Sequence, residues 1–209
     1  PALNKDPIEV RRFFEEAQIT GQLEHPNIPA VHEVGVHQGT SYFTMMLVPG
    51  ITLEQVRRSS DFNLSNPDHL QRALDVLIRV CEAVAFAHSR GVLHCDLKPA
   101  NVMVGAHGQV HLMDWGIARL LGHLTGSAET DRVKLPHARA PEPEGKIMGT
   151  LAFMAPEQAD GPLEGLDSRT DVFSLGGLGL SLMVLGFVYY RFVFKMAPAS
   201  EKPLNAPIP

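Results

Sequence analysis

Polar and apolar positions along this chain change period several times, and each change marks an element. From Pro7 onward Val10, Phe13, Phe14, Ala17 and Gly21 recur at helical spacing, with Arg11, Arg12, Glu15 and Glu16 on the polar face. Asp6 as N-cap, Pro7 at the first helical position and Glu9 in the capping-box place predict where this helix starts. "EHPNIP" at 24–29 ends it. Two strand-like runs follow, "AVHEVGVH" and "SYFTMMLV", and the intervening "QGTS" predicts a hairpin. The strongest helical pattern is "NPDHLQRALDVLIRVCEAVAFAHSRG". It predicts a helix capped by Asp68 and ended by Gly91, with Leu70, Leu74, Leu77, Ile78, Cys81, Val84 and Ala85 as its buried stripe.

The next stretch, "GVLHCDLKPANVMVG", sets His94, Asp96, Lys98 and Asn101 between two apolar flanks. Unpaired charge is costly to bury, so the middle reads as a loop whose polar groups have partners or a ligand. "NVMVGAHGQVHLMDWG" then predicts strand, tight glycine turn and strand. No clear period runs from about Leu120 to Lys146, and loops of that length are functional or disordered. From Val172 to Tyr190 the chain carries no charge, which fits either a buried core helix or a membrane span. The Pro-rich segment 196–209 predicts a disordered tail.

Composition narrows the class. The chain has 209 residues, 44% hydrophobic and 20% charged, as in an ordinary globular protein. A net charge of −5 gives no electrostatic footprint for nucleic acid. Two cysteines make no disulfide framework, and no secretory signal pattern opens the chain, so a cytoplasmic setting is expected. His107 and His111 have i, i+4 spacing, but Gly108 lies between them and no acidic partner is near, so they are not read as metal ligands.

The order H94-C-D-L-K-P-A-N101, then D114-W-G116, then A155-P-E157 resembles the eukaryotic-like (bacterial-type) Ser/Thr protein kinase family. The resemblance implies an α+β, bilobal protein-kinase-like fold and transfer of the ATP γ-phosphate to a protein Ser/Thr hydroxyl with Mg²⁺. Implied roles fall on named positions. Asp96 is the expected base and Lys98 the cation at the moving phosphate. Asn101 and Asp114 are the expected Mg²⁺ ligands, hard oxygen donors as that ion requires. Glu16 matches the αC glutamate through "RRFFEEAQITGQLEHPNI". "YFTMMLVPG" resembles the hinge, with Met45 as gatekeeper and the Met46 carbonyl and Val48 amide as adenine contacts. Thr150 falls in the activation segment 114–157. His94, Gly116, Glu157 and Asp171 are expected to be structural.

The family's Gly-rich loop and β3 lysine have no counterpart here; Lys5 lies in a capping segment. The chain therefore reads as an incomplete kinase domain over 1–195. Residues 1–48 form the remnant of the small lobe and hinge, and 49–195 part of the large lobe. Cys95 stands where many family members carry an arginine that pairs with an activation-loop phosphate. Hence a phosphate on Thr125, Ser127 or Thr130 is not expected to act through the catalytic loop. The expected partners are ATP and a Ser/Thr-bearing protein, with no nucleic acid. Membrane contact through 172–194 is the alternative to a buried αF helix. Two rival functions stand beside the kinase: a pseudokinase-like regulatory fragment, and a small-molecule phosphotransferase of the aminoglycoside type.

Overall fold

Periodicity places the helices, and glycine and asparagine chemistry places the turns between them. The computed structural model describes residues 7–59, 61–121, 131–136, 149–160 and 165–196, without the side chains of Asp160 and 184–196. Asp6, Lys5, Thr125, Ser127, Thr130 and the tail beyond Met196 lie outside these residues.

Helix α1, Pro7–Gly21, buries Ala17 and Ile19, while Phe13 packs on Phe14 and Phe43 at ring distances of 6.0 and 5.0 Å. Glu15, expected on the polar face, is instead buried, with its carboxylate 3.4 Å from Arg11 one turn earlier. The hairpin forms as expected: β1, Val31–His37, pairs antiparallel with β2, Thr40–Met45. Gln38 and Gly39 turn it with φ of 48° and 75°, the positive pair that a two-residue hairpin turn needs.

After the hairpin come β3, Ile51–Thr52, and α2, Leu53–Arg58. Thr52 and Gln55 close a reciprocal capping box: the Gln55 amide donates to the Thr52 hydroxyl at 3.2 Å, and the Thr52 amide to Gln55 Oε1 at 2.8 Å. Gly50 has φ +127°, and a Cβ there would lie 2.3 Å from the Val104 carbonyl oxygen. Only glycine lets the chain pass this close.

Helix α3, Pro67–Ser89, corrects the sequence expectation twice. Its N-cap is Asn66, whose side chain accepts from the Asp68 amide at 2.9 Å; Asp68 itself lies in the first turn. Its buried stripe is Ala73, Val76, Val80, Ala83, Val84 and Ala87, whereas Leu74 and Ile78 are 36% and 54% exposed. Apolar residues cover more than half of this helix's circumference, so periodicity alone could not choose the face. The small-residue side faces α5 and the strand β6, where close approach favours alanine and valine.

β4, Val92–Leu93, pairs antiparallel with β7, Arg119–Leu120, and β3, β5 (Val102–Val104) and β6 (Val110–Leu112) form a separate three-stranded antiparallel sheet. α4, Pro156–Asp160, precedes α5, Ser168–Met196. The uncharged run lies inside this one helix, which also takes in Met196, the first residue of the expected tail. Its described part sends Leu178 and Leu182 into the core beside α3 and buries Thr170, Asp171 and Ser174. Those three polar groups have protein partners, as an αF-like buried helix requires. Among the described residues no helix is long and apolar enough to cross a membrane, and the expectation of membrane contact through 172–194 finds no support.

Candidate active site

Two buried strand residues, Val92 and Leu93, lead straight into the polar stretch, so its first side chain starts inside the core. His94 is fully buried with its ring 4.6 Å from that of Trp115. Its Nε2–H donates to the Met113 carbonyl at 3.1 Å, and its Nδ1 accepts from the Asp96 amide at 3.2 Å. That pairing fixes the neutral tautomer. Burial agrees, pushing the imidazole below its ordinary range against the pull of Asp171 and its other neighbours.

Cys95 has φ +64°, the left-handed region that costs an L-residue roughly 1–2 kcal/mol. Asp171, at the start of α5, holds it there. One carboxylate oxygen accepts from the His94 amide at 2.8 Å and from His88 Nε2 at 2.7 Å; the other accepts from the Cys95 amide at 2.9 Å. Burial alone would raise this carboxyl, but the His88 hydrogen bond, the nearby His94 and the two amides outweigh it and hold it below the usual carboxylate range. From the other side Gln158 Nε2 donates to the Cys95 carbonyl at 2.7 Å. The loop is clamped from α4 and α5, with His88 of α3 bracing the Asp171 carboxylate.

The clamp delivers four polar side chains to one point. Thr150 donates its hydroxyl proton to Asp96 Oδ1 at 2.8 Å and accepts from Lys98 Nζ at 3.0 Å. Lys98 Nζ also reaches Asp96 Oδ2 at 2.5 Å. Asn101 Nδ2 donates to the Asp96 carbonyl at 3.0 Å and to Oδ2 at 3.2 Å, which leaves Asn101 Oδ1 without a donor among the described residues. A 2.8 Å bond from the Met113 amide to the Asn101 carbonyl sets Asp114 beside it, and Asp114 takes φ +63°. Asn101 Oδ1 and the Asp114 carboxylate are oxygen donors of the kind a hard divalent cation takes.

Glu16 approaches from α1. A Cβ on Gly116 would sit 3.2 Å from Glu16 Oε2 and 3.3 Å from Asp114 Oδ1, so both carboxylates crowd this glycine. The Gly116 amide also donates to Asp114 Oδ1 at 3.4 Å. Burial, then the Asp114 charge, raises the Glu16 carboxyl above its ordinary range. Among the described residues Glu16 forms no ion pair. At the hinge the Met46 amide donates to the Ala30 carbonyl at 2.8 Å. The Met46 carbonyl and the Val48 amide make no backbone hydrogen bond among the described residues.

Glu157 does not join the cluster. It is exposed and accepts from Thr170 Oγ1 at 2.9 Å. Sequence reasoning gave no role to His88, Gln158 or Thr170. The first is one turn before Gly91 and the second follows the A-P-E signature, but nothing in either local pattern signals a partner so distant along the chain.

The protein kinase domain family model matches residues 2–196. The chain is 36% identical over 192 residues to the serine/threonine-protein kinase PknD of Protochlamydia amoebophila, covering 87% of this chain and 19% of that protein. It is 34% identical over 178 residues to the serine/threonine-protein kinase PknB of Mycobacterium leprae, covering 83% and 25%. To the PknD of Chlamydia pneumoniae it is 30% identical over 197 residues, covering 90% and 21%. The chain thus spans about a fifth to a quarter of the length of these relatives.

Proposed function

The chain belongs to the protein kinase domain family, and on that footing we propose that it is the catalytic region of a Ser/Thr protein kinase. The observation that carries this reading is Thr150, an alcohol whose proton points at Asp96 while Lys98 contacts its oxygen. A substrate serine or threonine offers the same group to the same pair.

Asp96 accepts the proton of the attacking hydroxyl, and help of this kind is worth about 10²–10⁴-fold. Lys98 stabilises negative charge on the transferring phosphoryl oxygens. Asn101 Oδ1 and the Asp114 carboxylate would hold Mg²⁺, which when bound neutralises charge between the phosphates of ATP. The Met46 carbonyl and Val48 amide would take the adenine edge. Phosphoryl transfer asks a protein mainly for positioning and charge compensation. His94, Asp171 and Gln158 serve the first need by fixing the loop on which Asp96 stands. The partial domain 1–195 divides, in this reading, into hinge and small-lobe residues 1–48 and large-lobe residues 49–195. ATP use places its cleft in the cytoplasm. The relatives are all named as Ser/Thr protein kinases, and neither the regulatory fragment nor the small-molecule phosphotransferase is favoured.

The direct test is Asp96→Asn in the protein carrying this domain, measured as phosphate transfer from ATP to a protein acceptor. The expected rate falls about 10²–10⁴-fold with little change in thermal midpoint. Transfer at the unchanged rate would remove Asp96 from the chemistry and the proposal with it.

A further inference from the structure

The peptide unit that joins Cys95 to Asp96 is held at both ends. Its carbonyl, on Cys95, accepts from Gln158 Nε2 at 2.7 Å, and its amide, on Asp96, donates to His94 Nδ1 at 3.2 Å. A carbonyl can only accept, so the first of these bonds needs an N–H or O–H at the place of Gln158. Gln158 is 3% exposed and stands on α4, whose first turn closes with the Gln158 amide on the Ala155 carbonyl at 3.0 Å. A bond shielded from water, made by a side chain on a helix, therefore sets the plane of the peptide from which the Asp96 side chain leaves.

Gly149 covers that bond. It has φ +121°, a conformation that L side chains rarely adopt, and a Cβ there would lie 2.9 Å from Gln158 Nε2 and 3.2 Å from the Cys95 carbonyl oxygen. The chain thus crosses directly over the donor and its acceptor. One residue on, Thr150 donates to Asp96 Oδ1 and accepts from Lys98 Nζ. These contacts close a ring. Asp96 reaches Thr150 through its carboxylate, Gly149 packs on Gln158 and the Cys95 carbonyl, and that carbonyl returns to Asp96 through one peptide bond. A hydroxyl on a carboxylate is a hinge that still permits rotation; the second tie, at the backbone, removes that freedom. The groups assigned to the adenine edge and to Mg²⁺, at Met46, Val48, Asn101 and Asp114, are not members of the ring.

We propose that Gln158 is a positioning residue for the protein acceptor: its bond to the Cys95 carbonyl locks the Gly149–Thr150 stretch to the catalytic loop, so that an incoming hydroxyl meets Asp96 in one geometry. This rests on the kinase reading and adds to it which contact serves the acceptor rather than the nucleotide.

The test measures phosphate transfer from ATP to dephosphorylated casein by the full-length protein carrying this domain, with each substrate varied in turn. Gln158→Leu keeps an apolar side chain of similar size and removes the donor. Its kcat/KM for casein should fall about tenfold, as loss of one buried hydrogen bond gives, with KM for ATP within about twofold of the parent. Gly149→Ala pushes the Gln158 amide off the carbonyl and should do the same. The double variant should be no worse than the more affected single one, because both break one joint. Gln158→Glu sets an acceptor against an acceptor and should match Gln158→Leu at about pH 8, where a carboxyl is ionised. As pH falls, its rate relative to the parent should recover, because the neutral acid, which burial favours, donates to the carbonyl. That recovery takes place within one folded molecule, so misfolding does not imitate it. The proposal is overturned by an unchanged kcat/KM for casein in Gln158→Leu, or by a KM for ATP that rises as much as that for casein. Additive losses in the double variant, or a Gln158→Glu ratio that is flat with pH, overturn it equally. A parent protein that transfers no phosphate overturns the kinase reading instead, and the acceptor role with it.

Discussion

Thr150 is where the residue scale decides most. Its hydroxyl is the only side-chain group described that contacts both Asp96 and Lys98, at 2.8 and 3.0 Å. Hydrogen bonds to charged groups are worth about 1.5–3 kcal/mol, so removing this one is felt at both partners. Thr150→Ser keeps the hydroxyl and should transfer phosphate at close to the parent rate. Thr150→Val keeps the shape and loses the bond, and should lower transfer about tenfold or more beyond Thr150→Ser, with a fall in the urea midpoint no larger than loss of one such bond gives. Equal rates for the two variants would mean that the hydroxyl only fills space. Asn27 works in the same way at the far side of the sheet. Its Nδ2 donates to the Val110 carbonyl at 2.8 Å while its own carbonyl accepts the Leu112 amide at 2.8 Å, so one residue of the H-P-N-I turn completes the open edge of β6. Asn27→Ala leaves the Val110 carbonyl without that donor, and an unfolding loss of about 1–3 kcal/mol is expected in urea titrations.

At the scale of elements the useful contrast lies within α3. The buried face runs through Val80, fully buried, while Ile78 is more than half exposed. Val80→Ala should cost about 2 kcal/mol in chemical denaturation, and Ile78→Gln no more than about 0.5 kcal/mol. A reversal of that order would restore the leucine-rich face that periodicity favours. The hairpin and the β5–β6 pair were legible because turn chemistry is local: Gly39 and Gly108 adopt the positive φ that only a few residue types accept. The order of Asp96, Lys98, Asn101 and Asp114 was legible too, since those spacings are short and rigid. The face of α3 was not, because it depends on which partner helix arrives. Nor were His88 and Gln158, whose partners Asp171 and Cys95 lie 83 and 63 residues away. Such contacts are set by packing, and no window of sequence contains both halves.

Taken as a whole, the molecule stores an acid sensitivity in its histidines. His94 is buried neutral, with its pKa lowered by loss of hydration, and burial lowers His25 and His111 as well. For each, the unfolded chain binds a proton at about pH 6.5 while the folded chain does not. The unfolded state therefore gains protons first as pH falls, and stability drops from about pH 6.5 downward until the folded value is reached. His94 alone can contribute a slope approaching about 1.4 kcal/mol per pH unit in that window. Two carboxylates act elsewhere on the scale. Asp171 is held below its ordinary range, so its contribution is complete above about pH 4 and is lost only in stronger acid. Glu16 is raised, so the folded state prefers it protonated and gains from falling pH, opposing the histidines just above the carboxylate range. The thermal midpoint should consequently fall from pH 7 to pH 5, before Asp171 titrates. Glu16→Gln should steepen that fall, because it removes a carboxyl whose protonation favours the fold. A midpoint that stays level between pH 7 and pH 5, or a Glu16→Gln profile shallower than the parent, would show that these groups do not meet their ionisation costs in the folded chain.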